Sequence, residues 1–210
     1  MDPVAIAINK FRDAIRDNLR VRLDEASGFY TINEDGAQSK ISSLKLGFKG
    51  DDGVLVLSQG KECLAIKEII VNTTWLKSCD FIVLLSMEGV AQPFFCEIKS
   101  SGNNKHRALP QIKSSKIFFE FVYRSYLHHN RLHFKDFPVE IHKAPCVLLH
   151  PRVKKPNSDQ ENLGRLIIRE IDPNDGVALI EDAYEFFSEV LEEHRRRLDL
   201  RLQRSAPPSC

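Results

Sequence analysis

Residues 79–111 read CDFIVLLSMEGVAQPFFCEIKSSGNNKHRALPQ, and this stretch decides the predicted fold. Residues 81–85 are a continuous apolar run, which is typical of a buried strand. A short turn leads to a second apolar run that ends on Glu97-Ile98-Lys99. Because side chains alternate along a strand, Glu97 and Lys99 are expected on the same face. The stretch therefore predicts two paired strands with charged residues gathered at one end.

Two further polar residues are expected close to that end. Asp80 stands at the head of the first strand. After Lys99, a loop leads into a helix predicted over residues 108–127, in which Pro110 is tolerable only in the first turn. Gln111 then lies in the first turns of the helix, near the end of the second strand.

These residues have the chemistry that phosphodiester hydrolysis requires, namely a water made nucleophilic and charge stabilisation on the phosphoryl oxygens. Asp80 and Glu97 are candidate ligands for Mg²⁺ or Mn²⁺, since such ions prefer hard oxygen ligands. The backbone carbonyl of Ile98 is a natural third ligand. Lys99 is a candidate for orienting the attacking water or stabilising developing charge. Gln111 is a candidate for positioning water or phosphate.

Charge is unevenly distributed along the chain. Residues 99–155 contain 12 of the 30 basic residues and three of the 29 acidic ones, a local balance of +9 in a chain of net charge +1. This basic segment predicts a polyanionic partner. The alternative is a solvated surface that the acidic C-terminal helix neutralises. The candidate phosphate contacts are Lys105, Arg107, Lys113 and Lys116.

The same residues carry a resemblance to a known superfamily. Asp80, the hairpin, Glu97-Ile98-Lys99 and the helix with Gln111 resemble the core of the PD-(D/E)XK nucleases, which have the restriction-endonuclease-like fold. More narrowly, KSCDFIV at 77–83, EIKS at 97–100 and ALPQI at 108–112 are similar to a group of uncharacterised bacterial members. The resemblance covers roughly residues 60–150. It implies a mixed α/β/α sandwich, Mg²⁺ or Mn²⁺, and a nucleic-acid substrate, with DNA favoured over RNA.

One feature of that superfamily has no secure counterpart in this sequence. Many members place an additional acidic residue on a helix before the aspartate. Glu62 and Glu68 are candidates for it, but residues 63–71 favour a strand over a short helix. Cys79 stands where the superfamily often has proline.

The remaining segments predict a single α/β domain over residues 1–210, with a mixed central sheet flanked by helices and a core from about 54 to 171. An N-terminal helix is predicted over residues 3–27, because Asp2-Pro3 fits its start and apolar residues recur at helical spacing. A C-terminal helix is predicted over residues 176–204. Further strands are expected at about 41–48, 54–57, 139–142, 145–150 and 165–171.

Several other classes of protein are disfavoured by the sequence. The chain has no run of ~18 apolar residues and no secretory signal pattern at its start, so we expect no membrane span and a cytoplasmic setting. The five cysteines contain no Cys-x-x-Cys pair, and the first four are expected to be buried. Glycine-rich phosphate loops and histidines at metal-ligand spacing are absent.

Two alternatives to a nuclease stay open at this point. The first is a catalytically inactive protein that keeps the nuclease scaffold and binds nucleic acid or a protein partner through the same basic face. The second is an interaction protein that forms a homodimer, or binds a partner subunit, through its long C-terminal helix.

Overall fold

The computed structural model describes residues 2–34, 39–58, 78–99, 108–151 and 165–205. Within these residues the chain has an α/β architecture with three α-helices and ten strands. The helices are α1 (Pro3–Ala14), α2 (Ala108–His129) and α3 (Ala183–Ser205). The strands are β1 (Arg20–Val21), β2 (Leu23–Asp24), β3 (Phe29–Asn33), β4 (Ser43–Gly47), β5 (Val54–Ser58), β6 (Phe81–Met87), β7 (Val90–Ile98), β8 (Cys146–His150), β9 (Ile167–Glu170) and β10 (Val177–Ile180).

The larger sheet has six strands in the order β1-β5-β6-β7-β8-β9. Its first part is antiparallel as far as β7, and β8 and β9 then continue it in parallel. The sheet is therefore mixed, as predicted. With this topology the start of β6 and the ends of β5, β7, β8 and β9 lie at the same end of the sheet.

The smaller sheet has four strands in the order β10-β4-β3-β2. Strands β2, β3 and β4 pair antiparallel, whereas β10 pairs with β4 in parallel. The predicted core of residues 54–171 contains β5 to β9. The smaller sheet is built from residues on either side of that range.

Both faces of the larger sheet are buried, and the neighbours Phe94 and Phe95 on β7 illustrate this. Phe95 packs against Phe119 of α2, with ring centroids 5.8 Å apart, in a cluster that also includes residues of α1. Phe94 points to the other face and packs against Phe187 of α3 at 4.7 Å, in a cluster shared with the smaller sheet. The larger sheet thus lies between a helical layer formed by α1 and α2 and a layer formed by the smaller sheet and α3.

The N-terminal helix begins where predicted but ends at Ala14, so its predicted extent to residue 27 is wrong. Asp2 caps the helix by accepting a hydrogen bond from the Val4 amide at 3.0 Å. The chain is extended at Ile15, yet Ile15 stays buried and Leu19 packs against the same core. The apolar spacing therefore continues beyond α1 because Ile15 and Leu19 both face the core, although Ile15 is extended and Leu19 ends a short 3-10 helix over Asp17–Leu19.

The C-terminal helix begins at Ala183 and not at residue 176, because residues 177–180 form β10. Asp175 and Gly176 both have positive φ, which turns the chain into that strand. The Asp182 carboxylate then accepts a hydrogen bond from the Glu185 amide at 2.9 Å at the start of α3. The apolar residues before Ala183 belong to a strand, although they fit the helical spacing that follows.

Two other predictions are corrected and several are confirmed. The polar segment around residue 30 contains β3, and residues 139–142 contribute only an isolated bridge between Ala91 and Val139. The strands predicted near 41–48, 54–57, 81–85, 145–150 and 165–171 are confirmed, as are the second apolar run before Lys99, which forms β7, and the helix from Ala108. The expected burial is confirmed for Cys79, Cys96 and Cys146; Cys63 lies outside the described residues.

None of the helices in the described residues combines the length and the apolar character that crossing a membrane requires.

Candidate functional site at the end of the larger sheet

Antiparallel pairing of β6 and β7 brings Asp80 and Glu97 to the same end of the larger sheet. Phe81, the first residue of β6, pairs with Cys96 of β7. Asp80 and Glu97 are the next residues outward on the two chains. Alternation along each strand places both on the face that packs against α2, because Ile82 and Phe95 belong to the buried cluster of that face.

The Asp80 carboxylate is held by the backbone of the neighbouring strand. Its Oδ2 accepts a hydrogen bond from the Ile98 amide at 2.5 Å. The side chain is only partly exposed. This bond fixes the carboxylate beside the segment Glu97-Ile98-Lys99, as the sequence predicted.

Glu97 is the most deeply buried charged residue of the site, with no exposed surface. Its Oε1 accepts a hydrogen bond from Nζ of Lys99, so the two side chains do share a face. Its other oxygen, Oε2, is buried and has no hydrogen-bond partner in the part of the chain that the structure describes. A buried carboxylate oxygen without a donor is unfavourable unless something else satisfies it.

Helix α2 is attached to the start of β6 by two side chains. Nε2 of Gln111 donates a hydrogen bond to the Ser78 carbonyl at 3.2 Å, and the buried Ser115 hydroxyl accepts one from the Cys79 amide at 2.8 Å. Gln111 therefore contacts the chain at Ser78, two residues before Asp80. Its amide nitrogen is used in positioning the strand, whereas sequence reasoning assigned it to water or phosphate.

Glu34 is an acidic residue near this site that sequence reasoning missed. Its amide continues the pairing of β3 and β4 by donating to the Ser42 carbonyl at 2.8 Å. Tyr30 and Ile32 face the core between the two sheets, so alternation directs Glu34 to the same side, at the rim of that core. Its negative charge raises the pKa of both Asp80 and Glu97.

Burial and nearby negative charge raise the pKa of both carboxyl groups. Burial, followed by the negative charge of Glu34, raises the pKa of Asp80 to about 7, against the opposing effects of the Ile98 amide and Lys99. Burial, followed by the charge of Asp80, raises the pKa of Glu97 to about 8, although Lys99 acts in the other direction. Strongly perturbed carboxyl groups of this kind occur more often at functional sites than elsewhere.

The basic residues predicted to contact phosphate differ in their surroundings. Lys113 is exposed on α2. Nζ of Lys116 donates to the Ala144 carbonyl at 2.7 Å and lies 5.4 Å from the centre of the Phe95 ring, so it is engaged within the protein. Lys105 and Arg107 lie outside the described residues.

The residues present fit a divalent cation with few protein ligands. Among the described residues there is no group of three or more His, Cys, Asp or Glu side chains spaced to hold a metal ion. Asp80 and Glu97 supply two carboxylates, and the unpartnered Oε2 of Glu97 is an oxygen that a cation would satisfy. Mg²⁺ commonly keeps several waters and binds through one or two carboxylates. The candidate third ligands Glu62 and Glu68 lie outside the described residues.

Comparison with known proteins finds no protein family, no curated protein and no solved structure that matches this chain.

Proposed function

We propose that this chain is a metal-dependent nuclease that hydrolyses phosphodiester bonds in DNA or RNA. One observation carries the proposal. Asp80, Glu97 and Lys99 meet at the end of two paired strands, where an oxygen of a fully buried glutamate has no partner in the described residues. This arrangement agrees with the resemblance of the sequence to the PD-(D/E)XK nucleases.

The site residues have three roles: metal binding, charge stabilisation and positioning. Asp80 and Glu97 would hold Mg²⁺ or Mn²⁺ together with the backbone carbonyl of Ile98. Such an ion polarises a phosphoryl oxygen and makes a bound water more acidic. The Lys99 side chain is 18% exposed, and its ammonium, which is bonded to Glu97, is close enough to the carboxylates to stabilise negative charge on the phosphate. Gln111 acts as a positioning residue, since it holds the chain just before Asp80.

The choice of nucleic acid as the substrate rests on charge. The basic segment over residues 99–155 follows the site in sequence and contributes β8 beside β7 and all of α2. Lys113 is exposed on α2, but residues two apart on a helix point to different sides, so Lys113 would contact a phosphate away from the side chain of Gln111. Lys116 is a weaker candidate because its ammonium already has a carbonyl partner.

A cleavage assay on plasmid, single-stranded DNA and RNA with Mg²⁺ or Mn²⁺ tests the proposal. Asp80→Asn and Lys99→Ala should each lower the cleavage rate by at least about a hundredfold, a loss typical for groups that act on the transition state. Glu189→Gln, which neutralises an exposed carboxylate on α3, is the matched control and should cut like the wild type. Cleavage that survives both site substitutions would refute the assignment of the site.

A second candidate function is nucleic-acid binding without turnover. It is favoured by the contact of Lys99 with Glu97, which occupies one oxygen of the carboxylate and one donor of the ammonium. For such a protein, the cleavage assay shows no product for the wild type with either metal, while a gel shift shows binding.

A further inference from the structure

A cavity of about 330 Å³ lies on the helical side of the larger sheet, between the end of α1, the middle of α2 and the end of β5. Its floor consists of Phe11, Leu57 and Phe119, which are buried. Its walls are formed by half-buried side chains of α2, namely Phe118, Val122 and Tyr126. Small-molecule sites are cavities of about this size with mostly apolar and aromatic walls.

The mouth of the cavity is polar and basic. Arg16, Ser125, His129 and Asn130 line it and are exposed. No acidic side chain is among the described residues that line the cavity. The mouth therefore suits a ligand that has an apolar ring inside the cavity and an anionic group at its entrance.

The cavity is close to the candidate site and on the same face of the sheet. Leu57 on its floor pairs with Ile82, which is two residues after Asp80. Ser58, at the end of β5, also lines the cavity and pairs with Phe81, the residue after Asp80, so a chain passing over this end of the sheet would reach the cavity after crossing one strand.

The adjoining face of α2 extends the apolar surface beyond the cavity. Phe121 and Ile117 are 70% and 72% exposed, an unusual exposure for such large apolar side chains on a helix that is otherwise well packed. They lie next to Phe118 and Val122 around the helix, so the exposed surface is continuous with the cavity wall.

We propose that the cavity takes the base of one unpaired nucleotide, with its phosphate near Arg16 and His129 and the neighbouring base on Phe121. The choice of a nucleic acid rests on the proposed function, whereas the shape and the charge of the site come from the cavity. A flat aromatic base suits walls formed by Phe118 and Tyr126, because bases stack on aromatic side chains with little dependence on sequence. Bases paired in a duplex are not available for insertion, so the protein should prefer single strands.

Fluorescence anisotropy with a labelled single-stranded oligonucleotide and the corresponding duplex, both in EDTA, tests this inference without requiring cleavage. The wild type should bind the single strand more tightly. Val122→Phe, which fills the cavity, should weaken single-strand binding about tenfold, the loss expected for one stacked base. Ser125→Leu narrows the mouth from an exposed position and gives a second variant that does not depend on repacking the core.

Charge at the mouth is tested with Arg16→Ala and its control Lys10→Ala, which removes an exposed positive charge from α1. Arg16→Ala should weaken binding and reduce its salt dependence by about one ion. Lys10→Ala should have a smaller effect on both the affinity and the salt dependence. Equal affinity for the single strand and the duplex would overturn the inference. So would folded Val122→Phe and Ser125→Leu proteins that bind like the wild type.

Two further outcomes separate this inference from the proposed function. A wild type that cuts nucleic acid with metal, but whose cavity variants bind unchanged, leaves the nuclease standing and removes the base site. A wild type that never cuts, but loses single-strand affinity in the cavity variants, supports the base site in a non-catalytic protein. If light scattering shows that the wild type is a dimer and that Val122→Phe is a monomer, the surface binds a second copy of the chain. That result would also overturn the inference.

Discussion

The backbone amide of Ile98 donates a hydrogen bond of 2.5 Å to the side chain of Asp80. The regular pairing of β6 and β7 ends at Phe81 and Cys96, so at the next position a carboxylate takes the place of a backbone acceptor. Asp80 thereby connects the two strands in addition to carrying charge. For this reason Asp80→Asn, which keeps an acceptor oxygen, separates the two roles better than Asp80→Ala.

We expect the metal-free protein to become less stable as the pH rises from about 5 to 8. The folded state raises the pKa of Asp80 to about 7 and that of Glu97 to about 8, from ordinary values of 3.8 and 4.5. The folded protein therefore binds more protons than the unfolded chain in this range, and its free energy of unfolding falls with pH. Each carboxyl contributes a slope of up to about 1.4 kcal/mol per pH unit. Urea unfolding at several pH values measures it.

Glu97→Gln is the variant that tests the origin of this slope. The amide cannot ionise, so the slope between pH 5 and 8 should become smaller, and Mn²⁺ should no longer raise the melting temperature. In the wild type, Mn²⁺ should stabilise the protein more at pH 8 than at pH 5, since a cation favours the ionised carboxylates. An unchanged slope in Glu97→Gln would show that other groups cause the pH dependence.

Glu34→Gln should have opposite effects on metal affinity and on stability. Removing the charge of Glu34 reduces the repulsion on Asp80 and Glu97, so the metal-free protein should be more stable at pH 8. The same change reduces the negative potential at the site, so Mn²⁺ should bind several-fold more weakly. Calorimetric titration and thermal melting measure the two effects. Glu25→Gln, an exposed change in the turn before β3, should alter neither.

Ser115→Ala should destabilise the protein by about 1–3 kcal/mol, the usual cost when a buried donor loses its acceptor. The buried hydroxyl accepts from the Cys79 amide and so holds α2 against the start of β6. Ser114→Ala is the control, because within the described residues the Ser114 hydroxyl bonds to the Pro110 carbonyl of its own helix and to no other element. Equal midpoints for the two variants in urea unfolding would contradict this role of Ser115.

Two ion pairs of α3 should differ in their contributions to stability. Glu193 is 25% exposed and accepts from both Arg169 and Arg197, which connects α3 to β9. Glu88 is 68% exposed and pairs with Arg195. We expect Glu88→Gln to cost less than about 1 kcal/mol, as is usual for surface pairs. Glu193→Gln should cost more, because its removal leaves two cations without their shared partner. Thermal unfolding of both variants in low and high salt compares them.

The hairpin and its charged end could be predicted from the sequence because both depend on local patterns. Two apolar runs separated by a turn indicated β6 and β7, and alternation along β7 placed Glu97 and Lys99 on one face. Local sequence patterns also correctly predicted that α2 begins at Ala108. Residues close in sequence determined all of these features.

Glu34 and β10 could not be predicted, because both depend on contacts between distant segments. Glu34 lies in a polar stretch that resembles a loop, and it approaches Asp80 only because the smaller sheet packs on the larger one. Leu179 fits the apolar spacing of the helix that follows it, yet it belongs to a strand whose partner is β4. Periodicity does not separate these cases when a short strand precedes a helix directly.

The parallel pairing of β4 with β10 also has a consequence for synthesis on the ribosome. The Ser42 hydroxyl donates to the Gly176 carbonyl across a sequence separation of 134 residues, beside the first pair of that ladder. Until the later segment emerges, one edge of β4 has no strand to pair with, and exposed edges of this kind invite aggregation. A nascent chain halted before residue 177 should therefore need chaperone protection that the full-length chain no longer requires.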